Sequence, residues 1–225
     1  MTLVRRRLAS LLSRRSGHLV RSGPHVRLRL IALTFDDGPS VWTPAILDRL
    51  AEHDAKATFF VLGSSIPGKE DVLRRIVAEG HELGNHTFTH PDPAAVSDEV
   101  LVDELRRGGD AIAEACGRRP ALARPPYGGA PERFAAIVRQ SGAGPTVLWS
   151  IDPADWDQVD AAPVVEHVLR ELEPGAIVDL HDGMPADSSG APTRQATVDA
   201  VAMLLPELAA RGYRAVTVSQ LMAAR

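Results

Sequence analysis

The sequence predicts an α/β fold in which about seven βα units form a mostly parallel sheet or barrel with helices outside. Short apolar runs alternate with helix-like segments from residue 28 onward. The 225 residues suffice for one domain of this class. A chain of this length buries about 70% of its unfolded surface. Polar clusters also follow the apolar runs, where ligands collect in parallel α/β folds.

The predicted strands are short apolar runs that end at turn-forming residues. The first strand is stopped by Gly38-Pro39, and the second contains the run Ala-Thr-Phe-Phe-Val-Leu. Pro125 and Pro126 follow the fourth strand. In chain order, strands are predicted at residues 28–35, 57–62, 81–83, 121–124, 146–150, 176–180 and 215–218.

The predicted helices separate these strands and carry capping residues at their ends. Thr43 caps the first helix and Pro44 stands in its first turn. Ser97 opens the third helix and Gly117 ends it. The pair Gly108-Gly109 is expected to weaken the middle of that helix. Helices are predicted at residues 43–53, 69–79, 97–116, 132–140, 164–172 and 193–210, with a terminal turn at 220–224.

Composition excludes several kinds of site. The net charge of -4, with both signs mixed along the chain, argues against a nucleic-acid-binding surface. Cys116 is the single cysteine, so an intramolecular disulfide and a cysteine-built zinc site are excluded. Because Cys116 lies in a helical pattern, we expect it to pack rather than to act as a nucleophile.

Residues 1–27 are basic, with no acidic residue, and differ from the rest of the chain. Their apolar pieces are broken by Ser and Arg, so they lack the apolar core of about 7–15 residues that an export signal needs. They also offer no transmembrane span. We therefore expect a disordered basic arm at 1–27, a folded domain at 28–225, and a cytoplasmic rather than secreted protein. The alternative is a surface arm that contacts acidic lipid or polymer.

Five polar clusters fall directly after predicted strands. Because carboxyl ends of parallel strands share one edge of a sheet, we expect these clusters to meet on one rim. Each cluster comes from a different βα unit, which is hard to produce by chance. The clusters are residues 36–37, 86–90, 124–127, 152–156 and 181–182.

His86 and His90 stand four residues apart, a spacing at which two imidazoles can hold one metal ion. A carboxylate from Asp37 would complete a catalytic His₂-carboxylate set. A cation there would also let Asp36 remain an ionised base that deprotonates the attacking water. Such a set suits Zn²⁺ and also accepts Co²⁺ or Mn²⁺. Taken alone, the histidine spacing also fits packing residues, and the Asp pair also fits a plain turn.

In combination, these clusters resemble motifs of the polysaccharide deacetylase family, the NodB homology domain of carbohydrate esterase family 4. Residues 34–39 match TFDDGP, 86–90 match H-[ST]-x-x-H, 124–127 match R-x-P-Y, and 152–156 match D-x-x-D-W. The resemblance covers roughly residues 28–220. It implies a single-domain distorted (β/α)7 barrel of the glycoside hydrolase/deacetylase type, with residues 28–225 as the catalytic domain.

The resemblance also implies a metal-dependent hydrolase that removes N-acetyl groups from an amino-sugar carbohydrate and releases acetate. The substrate would be a glycan containing N-acetylglucosamine or a smaller N-acetyl sugar. Asp37, His86 and His90 would hold the divalent metal. Asp36 would be the general base, oriented by Arg124.

The remaining implied roles concern the leaving group and the pocket. His181 would be the general acid, supported by Asp155. Tyr127 would offer its backbone N–H to the oxyanion, and Trp156 would line the sugar and acetyl pocket. A protonated histidine paired with a carboxylate can supply the proton that the leaving amine needs near neutral pH.

One position departs from the family pattern, whose last motif is usually Leu-x-His. Here the motif reads Asp179-Leu180-His181. Asp179 would make the pocket more polar or pair with a cation; alternatively, a bulge would let Leu180 fill the pocket floor. This departure leaves two further functions open: an O-acetyl esterase acting on sugars, and a carbohydrate-binding protein with impaired catalysis.

Overall fold

The computed structural model describes residues 19–24, 28–141, 144–186, 188, 190–191 and 193–224. Parallel strands line its centre and helices cover them. The strands are β1 (Leu19–Val20), β2 (Leu30–Asp36), β3 (Ala57–Val61), β4 (Glu82–Asn85), β5 (Leu122–Ala123), β6 (Thr146–Val147), β7 (Ile177–His181) and β8 (Arg214–Ala215). The helices are α1 (Thr43–Glu52), α2 (Glu70–Ala78), α3 (Asp98–Cys116), α4 (Pro131–Gln140), α5 (Ala161–Glu171), α6 (Gln195–Ala210) and α7 (Val218–Ala223).

The sheet curls into a distorted barrel. Its strands are paired in the order β1-β6-β5-β4-β3-β2-β7, and β8 pairs with the start of β2. Ile151, just beyond β6, bridges Val178 of β7, so the chain after β6 meets the far edge of the sheet. Parallel pairing throughout and helices between successive strands confirm the predicted distorted (β/α)7 barrel.

The central strand β2 separates the apolar core on one face of the sheet from polar side chains on the other face. All of its seven residues are buried. Leu33 and Phe35 belong to the core between the sheet and the helices. Thr34 and Asp36 point to the opposite face because side chains alternate along a strand. The register pairs Thr34 with Asp179 and Asp36 with His181 across β2 and β7, which brings residues from distant parts of the chain side by side.

The structure corrects the predicted disordered arm at residues 19–24. Leu19 and Val20 form β1, which pairs with Thr146 and Val147 of β6. Gly23 also donates a backbone hydrogen bond to the carbonyl of Gly175, 2.8 Å away. Main-chain pairing therefore ties this segment into the barrel. The other arm residues, 1–18 and 25–27, lie outside the described residues, so their predicted role stays a prediction.

The helix ends agree only in part with the predicted capping residues. Thr43 is the first residue of α1 and not its cap; Trp42 holds the cap position and makes no side-chain cap bond. Ser97 caps α3 by accepting a bond from the N–H of Val100. The predicted last strand is shorter than expected, and Val218 instead begins α7. Thr217 and Gln220 form a capping box at that helix start. No helix among the described residues is long and apolar enough to cross a membrane.

Candidate active site

The chain turns sharply at the carboxyl end of β2. Asp37 has a φ of 72°, in the left-handed region that few residues other than glycine adopt. The backbone N–H groups of Asp182 and Gly183 donate to the carbonyl of Asp36 and hold this turn. Because the backbone turns between Asp36 and Asp37, both side chains line the same cavity instead of facing opposite sides.

Asp37, His86 and His90 converge at one point of this cavity. Asp37 Oδ1 lies 3.6 Å from His86 Nε2 and 3.4 Å from His90 Nε2. One ligand atom from each residue lies within 4.8 Å of the others, and all three side chains are buried. These residues come from two separate loops, so the predicted grouping is present in the fold.

The donor set fits a divalent metal ion. Asp37 Oδ1 is buried and has no hydrogen-bond partner among the described residues, and a cation would supply a partner. His86 Nδ1 lies 2.9 Å from the carbonyl oxygen of Arg124. A proton at Nδ1 donates that bond and leaves the Nε2 lone pair facing Asp37. Burial lowers the pKa of His86 to about 3, so its ring is neutral, as a metal ligand must be.

Burial also governs the charge of Asp37. It raises the pKa of this carboxyl to about 7; His181 opposes the rise, and the adjacent Asp36 charge adds to it. A neighbouring cation favours the ionised form of a carboxyl group. The residues could therefore hold a metal ion, and the ion would relieve the electrostatic cost of burying Asp37.

Arg124 connects the predicted base to Asp179. Its side chain is fully buried, and its Nη1 donates to Asp36 Oδ1 at 2.8 Å and to Asp179 Oδ1 at 2.6 Å. The same nitrogen lies 2.9 Å from Thr34 Oγ1. The guanidinium carbon sits 4.1 Å from the centre of the Phe60 ring. Arg124 thus orients Asp36, as predicted, while sharing its charge with a second carboxylate.

The carboxylates of Asp36 and Asp179 both bind the single guanidinium of Arg124. Burial raises the pKa of Asp36, and the Arg124 charge opposes that rise. Burial raises the pKa of Asp179 well above its ordinary value, and the Asp36 charge adds to the rise. Each of these two buried carboxylates therefore opposes the ionisation of the other, and the Arg124 charge favours it.

His181 is paired with Asp155, as predicted. Asp155 Oδ1 lies 2.8 Å from His181 Nδ1, and Oδ2 accepts the backbone N–H of His181 at 2.8 Å. Thr197 donates a further bond to Oδ2. Burial lowers the pKa of His181, but the Asp155 charge and hydrogen bond outweigh it and raise the pKa to about 10. His181 is therefore a cation at neutral pH.

A cavity of about 400 Å³ brings these groups together. Tyr127 and Trp156 form its outer wall, with 60% and 40% of their surfaces exposed. Arg124 and Asp155 lie behind the lining and act on it through the bonds described above. The lining residues are Asp36, Asp37, His86, His90, Tyr127, Trp149, Asp152, Trp156, Asp179, His181, Pro185, Ser188, Gly190 and Arg194.

Leu180 is the one predicted pocket residue that does not line the cavity. It is fully buried in the core shared by the sheet and the helices, and it does not line the cavity. The register of β7 against β2 is regular, so no bulge turns Leu180 inward. Asp179 occupies the inward position instead, because alternate residues of a strand share a face.

Trp149 and Arg194 are among the lining residues that the sequence did not predict. Trp149 follows β6, and its aromatic ring at the carboxyl end of a predicted strand was a usable signal. Arg194 is buried, and its guanidinium donates to the carbonyl oxygens of Gly183, Ala191 and Trp156. It thereby fixes the outer loop against the Trp156 segment. Nothing in the local sequence pattern of Arg194 indicates this role.

Comparison with known proteins gives this site a family. The family model described as polysaccharide deacetylase matches residues 25–145. A chitooligosaccharide deacetylase of Bradyrhizobium sp. (strain ANU 289) is 42% identical over 196 residues, covering 82% of this chain and 87% of the relative. A peptidoglycan-N-acetylglucosamine deacetylase of Bacillus cereus is 39% identical over 197 residues, covering 86% and 88%.

Solved structures agree with these relatives. The Bc1960 peptidoglycan N-acetylglucosamine deacetylase, in complex with 4-naphthalen-1-yl-N-oxidanyl-benzamide, has a TM-score of 0.83 at 32% identity, covering 96% of this chain and 97% of its own. BA3943, a pseudoenzyme of carbohydrate esterase family 4 from Bacillus anthracis, has a TM-score of 0.80 at 26% identity, covering 92% and 69%. Sequence, fold and site geometry together show that the chain belongs to the polysaccharide deacetylase family.

Proposed function

We propose that this protein is a metal-dependent hydrolase that removes N-acetyl groups from an N-acetylated carbohydrate and releases acetate. The observation that carries the proposal is the arrangement of two opposed proton-transfer groups beside a metal-ligand set. Arg124 binds Asp36 next to Asp37, and the protonated side chain of His181 lines the same cavity. One side-chain atom each from Asp36, Asp179 and His181 lies within 4.8 Å of the others.

Hydrolysis adds water across the amide C–N bond, so one group must remove a proton and another must supply one. Asp36 takes a proton from the attacking water, whose oxygen forms the new bond to the acyl carbon. His181 gives its proton to the nitrogen as the C–N bond breaks, which releases the amine and acetate. Asp155 keeps His181 protonated at neutral pH by its charge and hydrogen bond.

Asp37, His86 and His90 would hold the metal ion. When bound, a divalent cation polarises the acyl carbonyl and lowers the pKa of water. Two imidazoles and a carboxylate suit Zn²⁺, which is our proposal for the resident ion, and the same set accepts Co²⁺ or Mn²⁺. Asp36 Oδ1 is bound to Arg124, and Asp36 Oδ2 lies 3.5 Å from His86 Nε2, so the proposed base stands directly beside the ligand set.

The cavity suits one sugar residue with a small acyl group. Its volume of about 400 Å³ falls in the range of small-molecule sites, roughly 300–1,000 Å³. Trp149, Trp156 and Tyr127 offer apolar faces for a sugar ring. We propose the backbone N–H of Tyr127 as the oxyanion donor. Because relatives are named for chitooligosaccharide and peptidoglycan substrates, we propose a glycan that contains N-acetylglucosamine.

The test is acetate release from a panel of N-acetylated sugars, from monosaccharide to peptidoglycan fragments, with an O-acetylated xylan in parallel. We expect Asp36→Asn to lower kcat by about 10²–10⁴-fold, the usual contribution of a general base. We expect a chelator to abolish activity and added Zn²⁺ to restore it. Asp157→Asn, an exposed aspartate outside the cavity lining, should leave activity unchanged.

Three outcomes decide between the candidate functions. Full activity of Asp36→Asn, or full activity without metal, contradicts the mechanism. Acetate release from the O-acetylated substrate alone makes the protein an esterase. Sugar binding with metal present but without acetate release makes it a binding protein with impaired catalysis, a function for which Asp179 is the only support. The cytoplasmic location stays a prediction.

A further inference from the structure

The loop that carries both histidine ligands is strained. Thr87 has a φ of 74° and His90 a φ of 67°, so two residues other than glycine occupy the left-handed region within five positions. A residue other than glycine is strained in this region, so the surrounding structure must hold it in place. The contacts that hold this loop therefore decide where His90 points.

His86 is fixed independently of the rest of the loop. It follows β4 directly, and its backbone N–H donates to the carbonyl of Val61 at 2.9 Å. Its ring is anchored by the carbonyl of Arg124. His90 stands at the far end of the turn, so the position of its backbone depends on residues 87–89, while its ring packs edge-on against Tyr127 with 4.5 Å between ring centres.

Every backbone N–H from residue 87 to residue 90 has a side-chain acceptor. The N–H of Thr87 donates to Asn85 Oδ1 at 3.0 Å, and that of His90 donates to Thr87 Oγ1 at 3.1 Å. The N–H groups of Phe88 and Thr89 both donate to Glu104 Oε2, at 2.9 and 2.7 Å. One carboxylate thus satisfies two of the four donors.

Glu104 reaches the loop from the buried side of α3. It is 5% exposed, and its other oxygen, Oε1, accepts the hydroxyl of Thr89 at 2.9 Å. Arg107, on the next turn of the helix, contacts Oε1 at 3.5 Å and places its guanidinium carbon 3.9 Å from the centre of the Phe88 ring. Charged acceptors form stronger hydrogen bonds than neutral ones, so this carboxylate is well suited to hold a strained turn.

The close approach of α3 to the loop requires Gly108. A Cβ atom at this position would lie 2.5 Å from Asn85 Oδ1 and 2.8 Å from the carbonyl oxygen of Thr87. Asn85 in turn donates to the carbonyl of Leu105 at 2.7 Å. Because Gly108 has no side chain, α3 can lie close enough to the 87–90 turn for the Glu104 carboxylate to reach its N–H groups.

We propose that Glu104 is a positioning residue for the metal centre: its carboxylate fixes the 87–90 turn and so aims His90 at Asp37 and His86. Glu104 does not touch the cavity; it acts through the two amides of the turn. The inference rests on the metal-ligand set of the proposed function. Glu104 belongs to α3, which lies outside all five motifs.

The test measures metal affinity in purified apo-protein, by competition with a coloured chelator for Zn²⁺ and Co²⁺. Loss of a group that orients a ligand usually costs about 10–100-fold in metal affinity. We expect that loss in Kd for Glu104→Ala. Glu104→Gln keeps the shape but loses the charge, and we expect a weaker effect of about fivefold. Because all three ligands remain, activity of both variants should recover at saturating metal.

Glu82 is a matched control. It also accepts three hydrogen bonds, from the Thr58 hydroxyl at 3.0 Å, from the Ser219 N–H at 3.1 Å and from the Ser219 hydroxyl. These bonds lie at the start of β4 and do not involve residues 86–90, which carry the histidine ligands. We expect Glu82→Ala and Glu82→Gln to lower thermal stability and to leave the metal Kd within twofold of wild type.

The outcomes separate this inference from the proposed function. A wild-type Kd in Glu104→Ala, or in Glu104→Gln if the alanine variant does not fold, overturns the role of Glu104 alone. An equal rise in Kd for the Glu82 variants also overturns it, because the effect would then be general destabilisation. If the wild-type protein binds neither Zn²⁺ nor Co²⁺, the metal centre does not exist, and the proposed function is overturned as well.

Discussion

Replacing Asp155 with asparagine removes the charge that keeps His181 protonated. Asp155→Asn keeps one oxygen, which can accept either from His181 Nδ1 or from the His181 backbone N–H but not from both, so one of these two hydrogen bonds is lost with the charge. In the wild-type protein that charge and the hydrogen bond outweigh burial and raise the pKa of His181 to about 10. The substitution should therefore change the protonation of the proposed general acid with little change in packing.

The magnitude follows from the pKa. Without the Asp155 charge, burial would lower the pKa of His181 while the Asp179 and Asp37 charges would still raise it, so we take the ordinary value of 6.5 as the reference for the variant. At pH 8.0 a group with a pKa of 6.5 is only about 3% protonated, so kcat should fall by about 30-fold from this cause alone. At pH 6.0 about three quarters of the protein would carry the proton, and the loss should shrink to less than about twofold.

The assay is the pH dependence of kcat for acetate release between pH 5 and pH 10.5. We expect the alkaline limb to lie near pH 10 in the wild type and below pH 7.5 in Asp155→Asn. Thr197→Val, which removes only one hydroxyl bond to Asp155, should shift the limb little. An unchanged alkaline limb in Asp155→Asn would refute the assignment of His181 as the acid held protonated by Asp155.

Folding stability offers a readout that does not depend on activity. The pKa of His181 is higher in the folded protein than its ordinary value of 6.5. The stabilisation from the pair is therefore complete below pH 6.5 and is lost as pH rises through about 10. The difference in unfolding free energy between wild type and Asp155→Asn should narrow over that range, as measured by urea denaturation.

Two further substitutions test the packing around the site. Asp179→Asn keeps an acceptor for Arg124 and resembles the protonated acid that burial favours, so its kcat should stay within about tenfold of wild type. Asp36→Asn, in contrast, should lower kcat by about 10²–10⁴-fold. Equal losses of kcat in the two variants would show that Asp179 must be ionised. Gly108→Ala places a Cβ 2.5 Å from Asn85 Oδ1 and should destabilise the protein by about 1–3 kcal/mol in urea denaturation. A gain in stability, as expected for an exposed helical glycine, would contradict the close approach.

Strand periodicity accounts for the parts of the site that were predictable. Asp36 and His181 end strands that are paired in register, so their place at the rim follows from their place in the chain. The left-handed turn at Asp37 brings a second carboxylate beside the first. The place of Arg124 on the same rim follows from the end of its strand, whereas its assignment to Asp36 came from the family resemblance of its motif. Local pattern therefore gave the positions of these residues, and the resemblance gave their roles.

Residues that support the site from elsewhere had no such signal. Glu104 contacts the Phe88 N–H from 16 residues away, and its helical position alone does not distinguish it from a solvated glutamate. Gly108 was read as a weak point of its helix, whereas the structure uses it for close packing. Leu19 and Val20 form a strand too short for any periodicity. These features depend on tertiary contacts that single-sequence patterns do not encode.

Arg124 serves the site with two separate parts of one residue. Its guanidinium binds Asp36, whereas its main-chain oxygen accepts from the His86 ring. We therefore expect a change of the side chain to impair the proposed proton acceptor and to leave the imidazole tautomer, on which the proposed metal site depends, in place. A single substitution would then separate hydrolysis from ion binding and give a barrel of this kind a short route to an inactive form that still binds an ion.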